Sequence, residues 1–212
     1  ELIEARLKQI RTLSRKEALP IILGDKKNYC VAGAHGKSTT TAILASILES
    51  SALIGAISKD FDSNFRYVDD LVAFEADESD ASFLLSNPYC AIVTNAEPEH
   101  MEYYHYDYDK FFQAYERFID LAKKRVLNGE DEYIKKLKIE DATYLYPSVD
   151  IKNLCYTLKD KEPCTKFDLK DYGTFEVWGF GYHIAVDASL AIMAALNELD
   201  IEIIRKNILN YK

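Results

Sequence analysis

The chain has 212 residues, enough to bury a substantial core as one large α/β domain rather than two small ones. Hydrophobic residues make up 48% and charged residues 29%, and 26 Lys and Arg stand against 35 Asp and Glu for a formal net charge of -9. That balance argues against a general nucleic-acid binder, which needs basic side chains to displace phosphate counterions. No apolar run approaches the ~20 residues of a membrane-spanning helix, so membrane insertion is not expected either.

Four scattered cysteines, Cys30, Cys90, Cys155 and Cys164, form no C-x-x-C pair. They read as reduced thiols rather than zinc ligands, which points to the cytoplasm.

Residues 1–18 are charged and helical in period, with Leu2, Leu7, Ile10 and Leu13 on one side. Residues 1–25 are therefore expected to be a lead-in helix and linker, and 26–212 a domain. No methionine, cap or strand precedes the first run, and the helical pattern of 201–212 stops without a terminating signal. Both ends are those expected of a piece of a longer protein.

In between, strand and helix patterns alternate. A short apolar run at 29–32 leads through a glycine-containing turn to a helix at 37–49. Apolar runs at 71–74 and 91–94 each end in polar residues. A helix follows at 108–124, then a strand at 125–127 ending at Asn128-Gly129. Residues 142–178 change character, with short Tyr-, Val- and Leu-containing strands that suggest a mixed or antiparallel edge. An Ala- and Leu-rich helix at 185–199 is expected to be buried on most sides. The expected fold class is α/β: a doubly wound, mostly parallel sheet carrying a phosphate loop, with a mixed/antiparallel edge.

The phosphate loop is V-A-G-A-H-G-K-S-T-T-T at 31–41. Gly33 and Gly36 can take backbone angles closed to other residues and let the main chain approach an anion. Successive N–H groups at a helix N-terminus then make a concave donor surface favouring phosphate. Lys37 can reach the terminal phosphates, and the Ser38 hydroxyl can ligate Mg²⁺. The longer pattern G-x-x-x-x-G-K-[ST] asks for glycine where Val31 stands, so the match is to the shorter G-x-x-G-K-S.

Two more strand ends carry chemistry. The run at 71–74 delivers Glu75 at its carboxyl end, where ligands collect in open α/β sheets. A carboxylate there suits Mg²⁺. Asp77, Glu78 and Asp80 follow at once, and Glu78 and Asp80 fit a solvated acidic loop. The run A-I-V-T-N-A-E-P-E-H ends with His100 a few residues beyond its strand. In a parallel sheet all three ends converge on one edge.

Taken together, A-G-A-H-G-K-S-T-T-T, E-A-D-E-S-D-A-S-F-L and A-I-V-T-N-A-E-P-E-H-M closely resemble the Mur ligases. The likeness extends over nearly the whole chain, through N-G-E-D at 128–131 and G-F-G-Y-H at 179–183. His35 and the E-A-D-E-S-D-A-S block point to the alanine-adding branch and also fit the branch that recycles murein tripeptide. Folylpolyglutamate synthetase is a weaker match on the same fold. A P-loop GTPase would need an N-K-x-D motif, which the chain lacks. A non-catalytic nucleotide-binding module is the remaining alternative.

The resemblance implies the central ATP-binding domain of a three-domain ligase, one expected to fold alone without ligating. Its reaction would use ATP and Mg²⁺ to phosphorylate the carboxylate of UDP-N-acetylmuramate, and L-alanine would attack the acyl phosphate. By the match, Gly33, Ala34, His35, Gly36, Lys37, Ser38 and Thr39 bind the nucleotide. His183 and Asp187 lie near adenine; Lys37, Glu75 and His100 are catalytic. Ser38, Glu75 and His100 hold metal, while Asp77, Ser79, Thr94, Asn95 and Glu97 belong to the substrate side. Two departures stand out. Ala34 and Ser38 occupy positions where relatives commonly have Thr, and G-Y-H-I-A-V-D replaces G-x-H-N-x-x-N, so Ile184 and Asp187 lack the Asn amides.

Overall fold

A computed structural model describes residues 2–137 and 139–211. Glu1 and Lys212, the outer ends of the helical runs expected at 1–18 and 201–212, lie outside the described residues. The run expected as one helix at 1–18 is two: α1 (Leu2–Leu7) and α2 (Arg15–Leu23). Ser14 starts the second by a capping box with Glu17, which satisfies two helix-end donors reciprocally. Leu19 and Leu23 of α2 are buried in the core, so this part of the expected linker is docked on the domain.

The main sheet begins with β1 (Lys27–Ala32), followed by α3 (Lys37–Leu48), β2 (Ser51–Ser58), β3 (Ser63–Arg66) and β4 (Leu71–Glu75). Then come β5 (Pro88–Val93), α4 (Tyr108–Leu121), β6 (Lys124–Asn128) and β7 (Thr143–Leu145). Seven strands lie in the order β3-β2-β4-β1-β5-β6-β7, all parallel except the β2–β3 pair. The chain first builds the β2–β4 side of β1 and then crosses to the β5–β7 side. The C-terminal end of β1 is therefore where the winding reverses, the place ligands occupy in open α/β sheets.

The antiparallel edge expected of the fold is present, but β3 makes it. Residues 142–178 contribute only β7 to the main sheet. After the short helix α5 (Pro147–Asp150) they form a separate antiparallel sheet of β8 (Ile151–Lys159), β9 (Glu162–Leu169) and β10 (Thr174–Trp178). The helices α6 (Tyr182–Ala195) and α7 (Ile201–Asn207) close the described chain with a final turn at Ile208–Asn210.

Side chains of the central strands alternate between two cores because successive residues of a strand point to opposite faces. Tyr29, Val31, Ala73, Cys90 and Ile92 face a core shared with α3, α6 and the three-stranded sheet. Cys30, Ala32, Phe74, Ala91 and Val93 face one shared with α2 and α4. Helix α4 is the amphipathic case, starting at the cap Asp107 and burying Phe111, Ala114, Tyr115, Phe118 and Ile119 at helical spacing. Phe83 stacks on Phe118 at 4.9 Å and meets Tyr115 edge-on at 5.3 Å. Truncating such a buried ring costs ~3–5 kcal/mol. All four cysteines are free thiols, with Cys155 exposed and the other three buried.

Candidate active site

Parallel register sets the strand ends side by side: Val31 of β1 pairs with Glu75 of β4, and Ala32 with Val93 of β5. Gly33 then leaves β1 with φ 141°, and a Cβ there would collide with the Thr94 hydroxyl and stand 2.9 Å from the Asn95 carbonyl oxygen. Gly36, with φ 82°, is the N-cap of α3 and has no side-chain cap. The first N–H groups of α3 are thus available to an anion.

β5 holds this loop. The Thr94 hydroxyl donates to His35 O at 2.5 Å, and Asn95 Nδ2 donates to the same oxygen at 2.9 Å. Asn95 Oδ1 accepts the Ala34 N–H at 2.8 Å and the His35 N–H at 3.3 Å. Thr94 and Asn95, expected on the substrate side, therefore use their side chains on the loop backbone. The N-G-E-D segment supports them in turn. Asn128 Nδ2 donates to Thr94 O at 3.0 Å, and Asp131 Oδ1 accepts the N–H groups of Ala96, Tyr133 and Ile134.

Lys37 curls back across the loop. Its Nζ donates to Gly33 O, lies 3.5 Å from Ala34 O and pairs with Glu78 Oε1 at 2.9 Å. Glu78, read from sequence as part of a solvated acidic loop, is instead 2% exposed. Burial pushes its carboxyl above the ordinary carboxylate range, against the pull of the Lys37 ammonium. The Tyr104 hydroxyl donates to its backbone oxygen at 2.6 Å. Glu78 Oε2 has no hydrogen-bond partner among the described residues. Asp80 does sit at the surface, 3.7 Å from Lys16.

Lys37, Glu75, Glu78 and His100 line one cleft of about 560 Å³, with Arg15 and Gly55 on its walls. Glu75 Oε2 accepts the Gly55 N–H at 2.7 Å, and His100 adopts φ 50° on an exposed turn. At the rim Asp77 meets Arg15 at 2.7 Å and the Ser79 hydroxyl at 2.6 Å. Burial alone raises the Asp77 carboxyl, but the Ser79 and Arg15 hydrogen bonds outweigh it and hold the group below its ordinary range. Glu97 and Glu99 stand 3.7 and 3.4 Å from His35 Nε2.

Ser38, expected to hold metal with Glu75 and His100, faces an adjoining cleft of about 720 Å³ with Thr39, Trp178, Gly179, Ile184 and Tyr211. Ile54 belongs to both clefts. His183, expected near adenine, is exposed at the start of α6 and lines neither. Asp187 is 6% exposed behind the loop, where burial pushes its carboxyl up to about 7 despite the Thr40 hydroxyl.

A family model described as the Mur ligase middle domain matches residues 31–194, from the phosphate loop through α6. The chain belongs to the Mur ligase family. Among curated Mur ligases, the UDP-N-acetylmuramate–L-alanine ligase of Campylobacter curvus (strain 525.92) is 59% identical over 213 residues, 100% of this chain and 49% of that protein. The enzyme of the same name from Helicobacter pylori (strain P12) is 54% identical over 214 residues, 100% of this chain and 47% of that protein. The chain thus spans about half the length of the curated relatives it matches. Among solved structures, UDP-N-acetylmuramate-alanine ligase MurC from Thermotoga maritima aligns with TM-score 0.79 at 22% identity, covering 99% of this chain and 51% of that one. The UDP-N-acetylmuramate:L-alanyl-gamma-D-glutamyl-meso-diaminopimelate ligase from Neisseria meningitides aligns at 0.75 and 20% identity, covering 100% of this chain and 74% of that one. At these identities the structures speak for the Mur ligase fold.

Proposed function

We propose that the protein carrying this chain is an ATP-dependent ligase of peptidoglycan synthesis. It joins L-alanine to the carboxylate of UDP-N-acetylmuramate through an acyl phosphate, in the cytoplasm, and residues 26–212 supply its ATP-binding domain. One observation carries this reading: Lys37 of the phosphate loop, Glu75 from the end of β4 and His100 line a single cleft at the sheet's carboxyl edge. The names of the 54–59% identical relatives supply the substrates.

The γ-phosphoryl group moves from ATP to a carboxylate oxygen, and ADP leaves. The alanine nitrogen then adds to the carbonyl carbon and sheds a proton, and phosphate departs as the C–O bond breaks. The first step holds two anions together and the second needs the amine aligned on the carbonyl carbon, so the protein contributes counter-charge and position. Lys37 and the N–H groups opening α3 face the phosphates. Arg15, paired with Asp77 on the wall of the same cleft, adds positive charge on the side an acidic substrate would approach. Ser38 and Thr39 open the neighbouring cleft, whose Trp178, Ile184 and Tyr211 suit a flat apolar ring such as adenine.

The donor set fits Mg²⁺. Glu75 commits one oxygen to Gly55, and Glu78 Oε2 is buried without a partner. No group of three or more His, Cys, Asp or Glu among the described residues forms a cage. Mg²⁺ binds through one or two carboxylates plus substrate phosphates and waters. Glu75 and His100 would hold it, and it would spread charge over the transferring phosphoryl group, while Ser38 opens the neighbouring cleft.

The test is phosphate release by the purified protein. Release that needs ATP, UDP-N-acetylmuramate and L-alanine together is expected. Turnover with a murein tripeptide in place of L-alanine would transfer the assignment to the recycling branch, and ATP binding without any turnover would leave a nucleotide-binding module.

A further inference from the structure

An ammonium group has three N–H donors. Lys37 directs its own toward Gly33 O, Ala34 O and Glu78 Oε1, all within the protein. To bind a phosphate oxygen it must give up one of them. Two are neutral carbonyls of the loop itself, and the third is a full negative charge. The pair is shielded from water, with side chains 16% and 3% exposed, so its attraction is little screened. The carboxylate is held by its backbone as well, since the Tyr104 hydroxyl and the Ala81 N–H both donate to Glu78 O. A mobile surface acid would swing aside for a phosphate; this one is fixed.

We propose that Glu78 is a positioning residue that competes with phosphate for Lys37, confining the ammonium at the loop mouth while lowering the loop's affinity for polyanions. It acts through Lys37. Glu78 lines the same cleft as Lys37, and its Oε2 is buried with no hydrogen-bond partner among the described residues. The consequence is a loop that holds the nucleotide less tightly than its donors allow, with a lysine already aimed. This inference rests on the ATP-binding reading above, and its test separates the two.

The probe is tripolyphosphate without metal, titrated calorimetrically into the protein at fixed salt. Glu78→Gln keeps the shape and removes the charge. It should bind tripolyphosphate about tenfold more tightly, the scale set by one unit charge a few ångströms away in a partly screened site. Lys37→Met should bind more weakly than the unmodified protein, and adding Glu78→Gln to it should restore none of the gain. In turnover, Glu78→Gln should lower KM for ATP and lower kcat together, because the cation is freer and less well aimed. A Glu78 that only supports the fold would instead weaken binding in step with lost stability. Unchanged or weaker binding by Glu78→Gln, or tighter binding that persists without Lys37, overturns the proposal while the ATP reading stands. No tripolyphosphate binding by the unmodified protein or by Glu78→Gln overturns the proposal, and the ATP reading is then judged by titration with ATP and Mg²⁺. Should Glu78→Gln fail to fold, Glu78→Asp, which draws the charge back by one methylene, should tighten binding in the same sense by a smaller factor, and weaker binding there counts against the proposal.

Discussion

Asp187 stands directly behind Gly36: a Cβ built on that glycine would lie 2.5 Å from Asp187 Oδ1. A helix on one side of the sheet thereby sets how tightly the phosphate loop can turn. Gly36→Ala meets two penalties, a left-handed φ of 82° and this contact. Each is worth about 1–3 kcal/mol. The expected result is a lower melting temperature and loss of measurable ATP binding. Unimpaired ATP affinity in a calorimetric titration would show that the loop does not need this turn.

Burial of Asp187 gives stability a pH dependence with a definite sign. Its carboxyl titrates at about 7 in the fold against an ordinary 3.8. Between those values the folded chain keeps a proton that the unfolded chain has released, so stability falls as pH rises through that window and levels off above it. Asp187→Asn should remove this fall, worth on the order of a few kcal/mol. Thermal melts at about pH 5 and pH 8 check it. Equal losses in both proteins across that interval would mean the carboxyl is not protonated in the fold.

Lys37 has a structural partner, Glu78, as well as its proposed role at the phosphates. Lys37→Met should slow phosphoryl transfer by at least ~10²-fold, as lost transition-state donors do. It should also destabilise the fold by ~3–5 kcal/mol, because Glu78 is left buried and unpaired. Adding Glu78→Gln should return most of the melting temperature and none of the rate. Recovery of activity in the double variant would remove Lys37 from the chemistry.

Glu75 and His100 should govern the metal requirement rather than the nucleotide. His100→Ala should raise the Mg²⁺ concentration needed for half-maximal turnover, with ATP affinity measured without metal unchanged. Glu75→Ala should raise it further, because an anionic oxygen ligand is lost. Unaltered Mg²⁺ dependence in both variants would separate these side chains from the ion.

Much of the sheet's binding edge was legible in sequence because its signals are local. An apolar run followed by G-x-x-G-K-S describes a strand, a turn needing positive φ and a helix start, and β1, Gly36 and α3 are those elements. Glu75 was legible as the residue closing an apolar run. Strand β2 is hard to read from sequence because S-A-L-I-G-A-I-S follows an equally apolar helix with only Glu49 and Ser50 between. Strand β9 is hidden in sequence because Pro163, Lys166 and Asp168 interrupt its apolar pattern, while Phe167 and Leu169 still reach the core.

The sequence by itself determined the family, the order of the principal elements and the convergence of the Lys37 and Glu75 strand ends, since parallel strands place their carboxyl ends on one edge. The placing of His100, seven residues past β5, came with the fold. Only the tertiary structure decided which acidic residues face water. Asp77, Glu78 and Asp80 look alike as text, yet Tyr104 and Lys37 draw Glu78 inside, while Arg15 and Lys16 keep the other two at the rim. It also decided that Thr94 and Asn95 serve the loop backbone and that Asp187 lies behind Gly36. The reason is physical. Period and turn chemistry act over a few residues and are written in their order, whereas burial, and with it the charge state of a carboxyl, depends on groups that meet only when the sheet closes.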